Sequence, residues 1–409
     1  MARFCTILVG CIAIGVGVLI GTSPPGVTPP TIPPGSSAGM LPPWPIFRVA
    51  IALNEFFEAA AVATRPPPVQ VKSLATAYWQ SEISYSLTKS GVIDAIGAKT
   101  AGQTCGGVAS ELGLNKDFLC RMMRAGEGVK LLSVNAEGTY TLTPAGELLK
   151  SDHPGSLRAF MLMINEESKE SWRAAGTKSL KQGVSGFKAA FGTEFWEWHS
   201  QASHKPQMAQ FAAAMKSFSA EISGSLLVDW EPPAPDAVVC DVGGGAGHMV
   251  AAMAQHYPQL KGVVFDLPEV VADAEQNLKA LGLSDRLQVT AGSFLDPLPP
   301  ALGQCDAFYL KFILHDWPDD ECATILKGIA KVAKKNATIV TTDFILGVDG
   351  ANMEMNKKMM DVNMMASNPP GARERTVDEY MALFAKAGIA ATPELVKMRD
   401  LVSTVVAKL

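Results

Sequence analysis

Residues 237–247 read Ala-Val-Val-Cys-Asp-Val-Gly-Gly-Gly-Ala-Gly, and no other stretch of the chain narrows the choice of fold as far. A short, unbroken apolar run rich in β-branched residues fits a strand buried on both faces, as in a parallel sheet with helices above and below. The glycines after it mark a tight turn from strand to helix, and a helix is predicted from near His248 to about His256. A glycine-rich turn at the carboxyl end of a sheet lets a ligand lie directly against the backbone. Its pattern is G-x-G-x-G; His248 stands where a dinucleotide fingerprint would want its third glycine, and no Lys-Ser/Thr pair follows, which excludes a P-loop. From Asp236 onward strands and helices alternate, so the fold class is α/β.

The second strand, Gly262 to Phe265, ends in Asp266, 19 residues beyond Gly247. A carboxylate there can accept hydrogen bonds from both hydroxyls of a ribose. A nucleoside held without a pyrophosphate points to S-adenosylmethionine, whose cationic methionine end Asp241 would face; a plain tight turn is the alternative.

Composition excludes two function classes. With 35 Lys+Arg against 40 Asp+Glu the net charge is −5, so sequence-independent nucleic-acid binding is not the main task. Despite 48% hydrophobic residues, only Phe4 to Ile20, just after Arg3, approaches a spanning length: 17 residues, about 26 Å as a helix. A multi-span transporter is thereby excluded. Residues 1–21 read as a hydrophobic signal or anchor segment. Pro24 and Pro25 disfavour cleavage and favour an uncleaved membrane anchor, placing the chain on a membrane or in the secretory pathway. Cytoplasmic and plastid locations are the alternatives, although a transit peptide would be richer in Ser and Arg. Residues 22–45 form a Pro-rich linker, and 46–68 an amphipathic helical arm stopped by Pro66, Pro67 and Pro68.

Residues 70–170 are predicted to be mostly helical. A helix from Ala75 to Ser90 precedes two more, Gly106 to Leu112 and Asp117 to Val129, joined by a tight turn; a strand pair over 131–134 and 139–142 completes a winged helix. Arg121, Arg124 and Lys130 are offset by Asp117 and Glu127, so subunit contact is favoured over DNA reading. Residues 171–230, which include Trp196 and Met215, read as a helical connector lining a substrate pocket, with core filling as the alternative. Residues 236–409 form the catalytic domain. The seven cysteines are scattered, odd in number and without a CxxC pair, so they read as buried free thiols, and no metal site is expected.

Four strings occur in order: Asp241-Val-Gly-Gly-Gly-Ala-Gly247, Phe265-Asp266-Leu267-Pro268, Leu310-Lys311-Phe-Ile-Leu-His315-Asp316-Trp317 and Arg373-Glu374-Arg375-Thr376. Together they resemble the caffeate and acetylserotonin type of S-adenosylmethionine-dependent O-methyltransferases, over residues 70–409. The resemblance implies a Rossmann-like catalytic sheet behind a winged-helix dimerisation domain, a homodimer, and a small-molecule substrate. It implies that Gly243, Gly245, Asp266 and Lys311 hold the cofactor, with Asp241, Gly247 and Leu267 beside them. Around the adenine the family has an Asp followed by an apolar residue; Ser293 and Phe294 stand there.

Methyl transfer from a sulfonium is an in-line displacement, and a hydroxyl nucleophile must also lose its proton. A neutral imidazole can take it. His315, after the strand Ala307 to Leu310, is the candidate base, with a structural histidine at a helix start as the alternative. By the resemblance, Glu374 and Asp343 support it, Asp343 standing where the family has Glu. Asp316 is either a substrate contact or a helix cap. Six of the 18 methionines fall within Met353 to Met365, among them Met360 and Met364 as substrate contacts; core filling accounts for part of the group. Asn368 stands at a substrate-binding position, with one extra residue before the Glu374 motif. Methyl transfer to sulfur or nitrogen, and a non-catalytic regulator, are the competing readings.

Overall fold

Three prolines decide how the first helices are divided. The computed structural model describes residues 41–409; the apolar segment 1–21 and nearly all of the linker 22–45 lie outside the described residues. Helix α1 (Trp44–Ala63) stops before Pro66, and α2 (Pro67–Lys89) begins on the same prolines. A proline in the first turn needs no N–H partner, so it starts a helix as readily as it ends one. The helix predicted from Ala75 therefore begins two turns earlier. Much of the apolar surface of α1 and α2 is uncovered: Phe56, Phe57, Leu74, Tyr78 and Trp79 are all exposed, while Leu87 near the end of α2 is buried. Among the described residues no helix is long and apolar enough to cross a membrane.

The winged helix forms as expected, from α3 (Val92–Gly97), α4 (Cys105–Leu112) and α5 (Lys116–Gly128), then β2 (Leu132–Val134) and β3 (Thr139–Leu142). Thr104 and Asn115 cap α4 and α5 through the amides of Gly107 and Phe118. A third strand, β1 (Gln103–Thr104), pairs with β3; two residues are too few to show a period. Val92, Ile93, Leu119, Met123 and Leu132 form its core.

The connector ends in α6 (Lys205–Asp229), which runs into the catalytic sheet. That sheet has the order β6-β5-β4-β7-β8-β10-β9, with β4 (Val238–Val242), β5 (Lys261–Asp266), β6 (Leu287–Ala291), β7 (Ala307–Lys311), β8 (Thr338–Asp343), β9 (Glu394–Lys397) and β10 (Ser403–Lys408). The first five strands are parallel, and β10 runs antiparallel between β8 and β9. Alternation along β4 sends Val239 to one face and Cys240 and Val242 to different partners. One face packs α6 and α7 (His248–His256) through Ile222, Leu226 and Met249; the other packs α8 (Asp319–Val332) and α9 (Val377–Lys386) through Ile325, Leu326, Tyr380 and Phe384.

The cysteines correct the sequence reading. Cys105 is bonded to Cys120 and Cys240 to Cys305, with Cα separations of 5.2 and 5.8 Å. Partners 15 and 65 residues apart meet only once α4 lies on α5 and β4 lies beside β7, so spacing alone could not reveal them. Among the described residues Cys322 is free and buried, as expected.

Candidate active site

The glycine loop follows from space and backbone angle. Gly243 and Gly247 have φ of 70° and 73°, where side chains other than glycine are disfavoured. A Cβ on Gly243 would lie 2.4 Å from Ile313 Cδ1, and one on Gly247 2.7 Å from Val264 Cγ2. Gly245 instead faces open space, and its N–H donates to Asp266 Oδ2 at 2.7 Å. The Leu267 N–H donates to the other oxygen, Oδ1, also at 2.7 Å. Asp266 thus ties the first loop to the end of β5 and still has lone pairs for a ribose. Leu267 itself is exposed.

Asp241 is buried behind the loop, and its Oδ2 has no hydrogen-bond partner among the described residues. Burial raises its pKa to about 7, while the Lys311 charge opposes the rise. Burial likewise lowers the half-buried Lys311 to about 8, with Asp241, Asp343 and Asp316 pulling it back. An orphaned carboxylate oxygen beside a loop with open space suits a cationic ligand group. The ring of Phe294 lies over the loop, within 3.4 Å of a Cβ built on Gly243, with Trp317 edge-on to it at 5.8 Å. Two aromatic edges suit a flat base. Ser293 spends its hydroxyl locally, accepting from the Leu295 N–H at 3.1 Å. On these observations the residues fit S-adenosylmethionine.

His315 sits on the short 3-10 turn Leu314–Asp316 beyond β7 and is buried. Its Nδ1 lies 2.7 Å from Glu374 Oε1 and 3.9 Å from Asp343 Oδ1, and its Nε2 lies 3.5 Å from Asp316 Oδ1. When Nδ1–H donates to Glu374, the neutral imidazole carries its lone pair on Nε2. Burial pushes Glu374 well above the usual carboxylate range, with Asp361 adding to the rise and Arg375 and Lys357 opposing it. Burial raises Asp343 and Asp316 to about 6. Asp343 also accepts a hydrogen bond from the Tyr380 hydroxyl. Asp316 is no helix cap: α8 starts after Pro318, and Asp316 accepts from Asn368 Nδ2 at 2.8 Å. Asn368 also reaches Met364 Sδ at 3.3 Å.

Three residues to which the sequence reading gave no role complete the cluster. Tyr380 is one. Phe312, at φ 57°, stacks on the His315 ring at 5.2 Å and on Phe344 at 5.4 Å, with Lys311 Nζ 4.4 Å from its centroid. A bulky residue in the left-handed region is a backbone outlier of the kind concentrated at functional sites. Arg375 is fully buried; it donates to the carbonyls of Leu314 and Trp317 at 2.7 and 2.9 Å and to Asp319 Oδ1 at 2.7 Å. It clamps both ends of the turn that carries His315. Removing it takes the charged donor from both carbonyls, leaves them mainly the weak Cys322 thiol at 3.1 and 3.3 Å, and breaks the pair with Asp319. Arg375→Met is therefore expected to cost about 2–5 kcal/mol, measured as a lower midpoint in urea unfolding. A change below about 0.5 kcal/mol would show that the clamp carries no weight. The only forewarning was its place in the Arg-Glu-Arg-Thr string.

The remaining predicted contacts are more dispersed. Met364 is buried, and Met360 packs half-buried beneath the sheet, whereas Met355, Met359 and Met365 are exposed. Trp196 belongs to an aromatic cluster with Phe195 and Phe211. Met215 is half-buried on α6, and from that helix it is Phe218 that reaches Phe312, at 6.0 Å.

Comparison with known proteins identifies the family. Residues 172–390 match the O-methyltransferase domain family. The phenazine O-methyltransferase PhzM of Lysobacter antibioticus is 27% identical over 315 residues, covering 77% of this chain and 89% of that protein. Tabersonine 16-O-methyltransferase of Catharanthus roseus is 30% identical, covering 67% and 76%. Among solved structures, LaPhzM superposes with a TM-score of 0.76 at 25% identity, covering 84% of this chain and 99% of its own. NcsB1 from neocarzinostatin biosynthesis, in complex with S-adenosyl-L-homocysteine and 1,4-dihydroxy-2-naphthoic acid, has a TM-score of 0.64 at 28% identity, covering 80% and 95%. The family match spans more than half of the chain, which therefore belongs to the S-adenosylmethionine-dependent O-methyltransferases.

Proposed function

We propose that the enzyme methylates the hydroxyl of a small aromatic acceptor and that His315 removes the hydroxyl proton. The observation that carries this reading is the buried His315–Glu374 bond of 2.7 Å, which occupies Nδ1 and leaves Nε2 to take a proton. A phenol ionises near 10, so it reaches the reaction as the neutral hydroxyl and needs a base. His315 Nε2 takes the proton, and Glu374 stabilises the imidazolium through Nδ1. Asp343, held by Tyr380, adds negative charge near the same nitrogen. The cofactor supplies an electrophilic methyl group on a sulfonium. Asp266 would accept from its ribose, Asp241 would face its ammonium group, and Phe294 and Trp317 would flank its base. Phe312, Phe344 and Phe218 give the base an aromatic surround, suited to a flat acceptor. The acceptors named for relatives, such as a phenazine, a dihydroxynaphthoate and tabersonine, support that class.

A relative 28% identical is an N,N-dimethyltransferase of 8-amino-8-demethylriboflavin, which keeps nitrogen as a second acceptor atom. Labelled-donor transfer to a panel of phenols, hydroxyindoles and aromatic amines tests the choice. Transfer to amines alone would overturn the hydroxyl reading.

Cofactor affinity should depend on pH through Asp241. Its pKa is raised to about 7, so the carboxylate that faces a cation is complete only above that value. S-adenosylhomocysteine, which keeps the ammonium group, should bind more tightly as pH rises from about 5.5 to 7.5, by up to tenfold per unit below the pKa. Calorimetry on the wild type and Asp241→Asn should show the dependence only in the former; equal slopes would refute the assignment.

The exposed apolar residues of α1 and α2 support a homodimer. Two disulfides support passage through an oxidising compartment, and the apolar segment 1–21 is the element that would direct it there, as a signal or an anchor.

A further inference from the structure

Asn336-Ala337-Thr338 is the single Asn-x-Ser/Thr tripeptide in the sequence. Asn336 is exposed, in the turn that joins α8 to β8, where the Ala337 N–H donates to the Lys334 carbonyl at 3.1 Å. Its φ is 67°, a conformation that asparagine tolerates better than most residues. The place also suits a bulky modification. Thr338 begins β8, so Asn336 lies at the amino end of the parallel strands. The glycine loop, Asp266 and His315 all lie at the carboxyl ends of β4, β5 and β7. A substituent on Asn336 projects from the edge opposite the chemistry.

Two further observations concern the compartment in which such a tripeptide is modified. The disulfides join separate elements in both domains and belong where oxidised cysteines persist. Arg3 followed by 17 apolar and small residues has the pattern that admits a chain to that compartment. We propose that Asn336 is an N-glycosylation site, an inference that rests on the secretory reading of the N-terminus given above. The Asn336 amide nitrogen forms a bond to C1 of an oligosaccharide as the C1–oxygen bond to its lipid pyrophosphate carrier breaks, and the amide proton leaves with the pyrophosphate. Thr338 is paired within β8 in the finished fold, so the transfer precedes docking of that strand.

The full 409-residue chain is expressed in insect cells. Microsomes are tested by protease protection, and the protein is examined by peptide-N-glycosidase digestion and peptide mass spectrometry. The expected result is a vesicle-protected protein with one glycosidase-sensitive band shift. That shift is lost in Asn336→Gln and in Thr338→Ala, and labelled-donor transfer is unchanged in Asn336→Gln. Protected protein with unmodified Asn336 would overturn the glycosylation site alone. Unprotected, unmodified protein would overturn the site and the secretory reading together.

Discussion

His315→Ala is expected to lower kcat for a phenolic acceptor by about 10²–10⁴-fold, the usual contribution of a positioned general base. The alanine removes Nε2 and leaves Glu374 buried without its imidazole partner. The two carboxylates proposed to hold the cofactor, Asp241 and Asp266, lie on β4 and β5, so affinity for S-adenosylhomocysteine should stay within a few-fold of wild type, as read by calorimetry. That pairing of a lost rate with a kept affinity separates a missing base from a collapsed site. If transfer to a hydroxyl survived nearly intact, the nucleophile would not need its proton removed here, and a sulfur or nitrogen acceptor would become the better reading.

Asp266→Ala should act on the opposite half of the site. Each hydrogen bond to a charged group contributes about 1.5–3 kcal/mol, and Asp266 would give two to a ribose while holding the amides of Gly245 and Leu267. Losing the ribose pair alone is expected to weaken S-adenosylhomocysteine binding roughly 10²–10⁴-fold. Asp266→Asn, which keeps one oxygen acceptor, should fall between. Calorimetric affinities within about threefold of wild type would remove Asp266 from the cofactor site.

Much of this site was legible before the fold was seen, for reasons that differ by residue. The glycine loop and Asp266 could be read because close backbone approach restricts residue type, and the strand pattern fixed their order. His315 and Glu374, 59 residues apart, could be paired only through the resemblance, since nothing local links a 3-10 turn to the segment before α9. Arg375 and Tyr380 gave no local signal: a buried arginine looks like any surface charge until the carbonyls around it are in place. Phe312 looked like one more apolar residue just past a strand, and nothing in its type announces the left-handed backbone it adopts. The start of α2 was misread because proline signals stop and start equally. The disulfides escaped because their partners meet only in three dimensions.

The Cys240–Cys305 bond has a consequence for the chain when it is not folded. It closes a loop of 65 residues containing β5, Asp266, β6 and Ser293, so this edge of the sheet stays cyclic in the denatured state. In the chain-entropy account, closing a loop of that size removes about 4 kcal/mol of denatured-state freedom. Part of the enzyme's stability is therefore held in a state that no native contact describes, and a thiol reductant added to protect such a protein would take that part away.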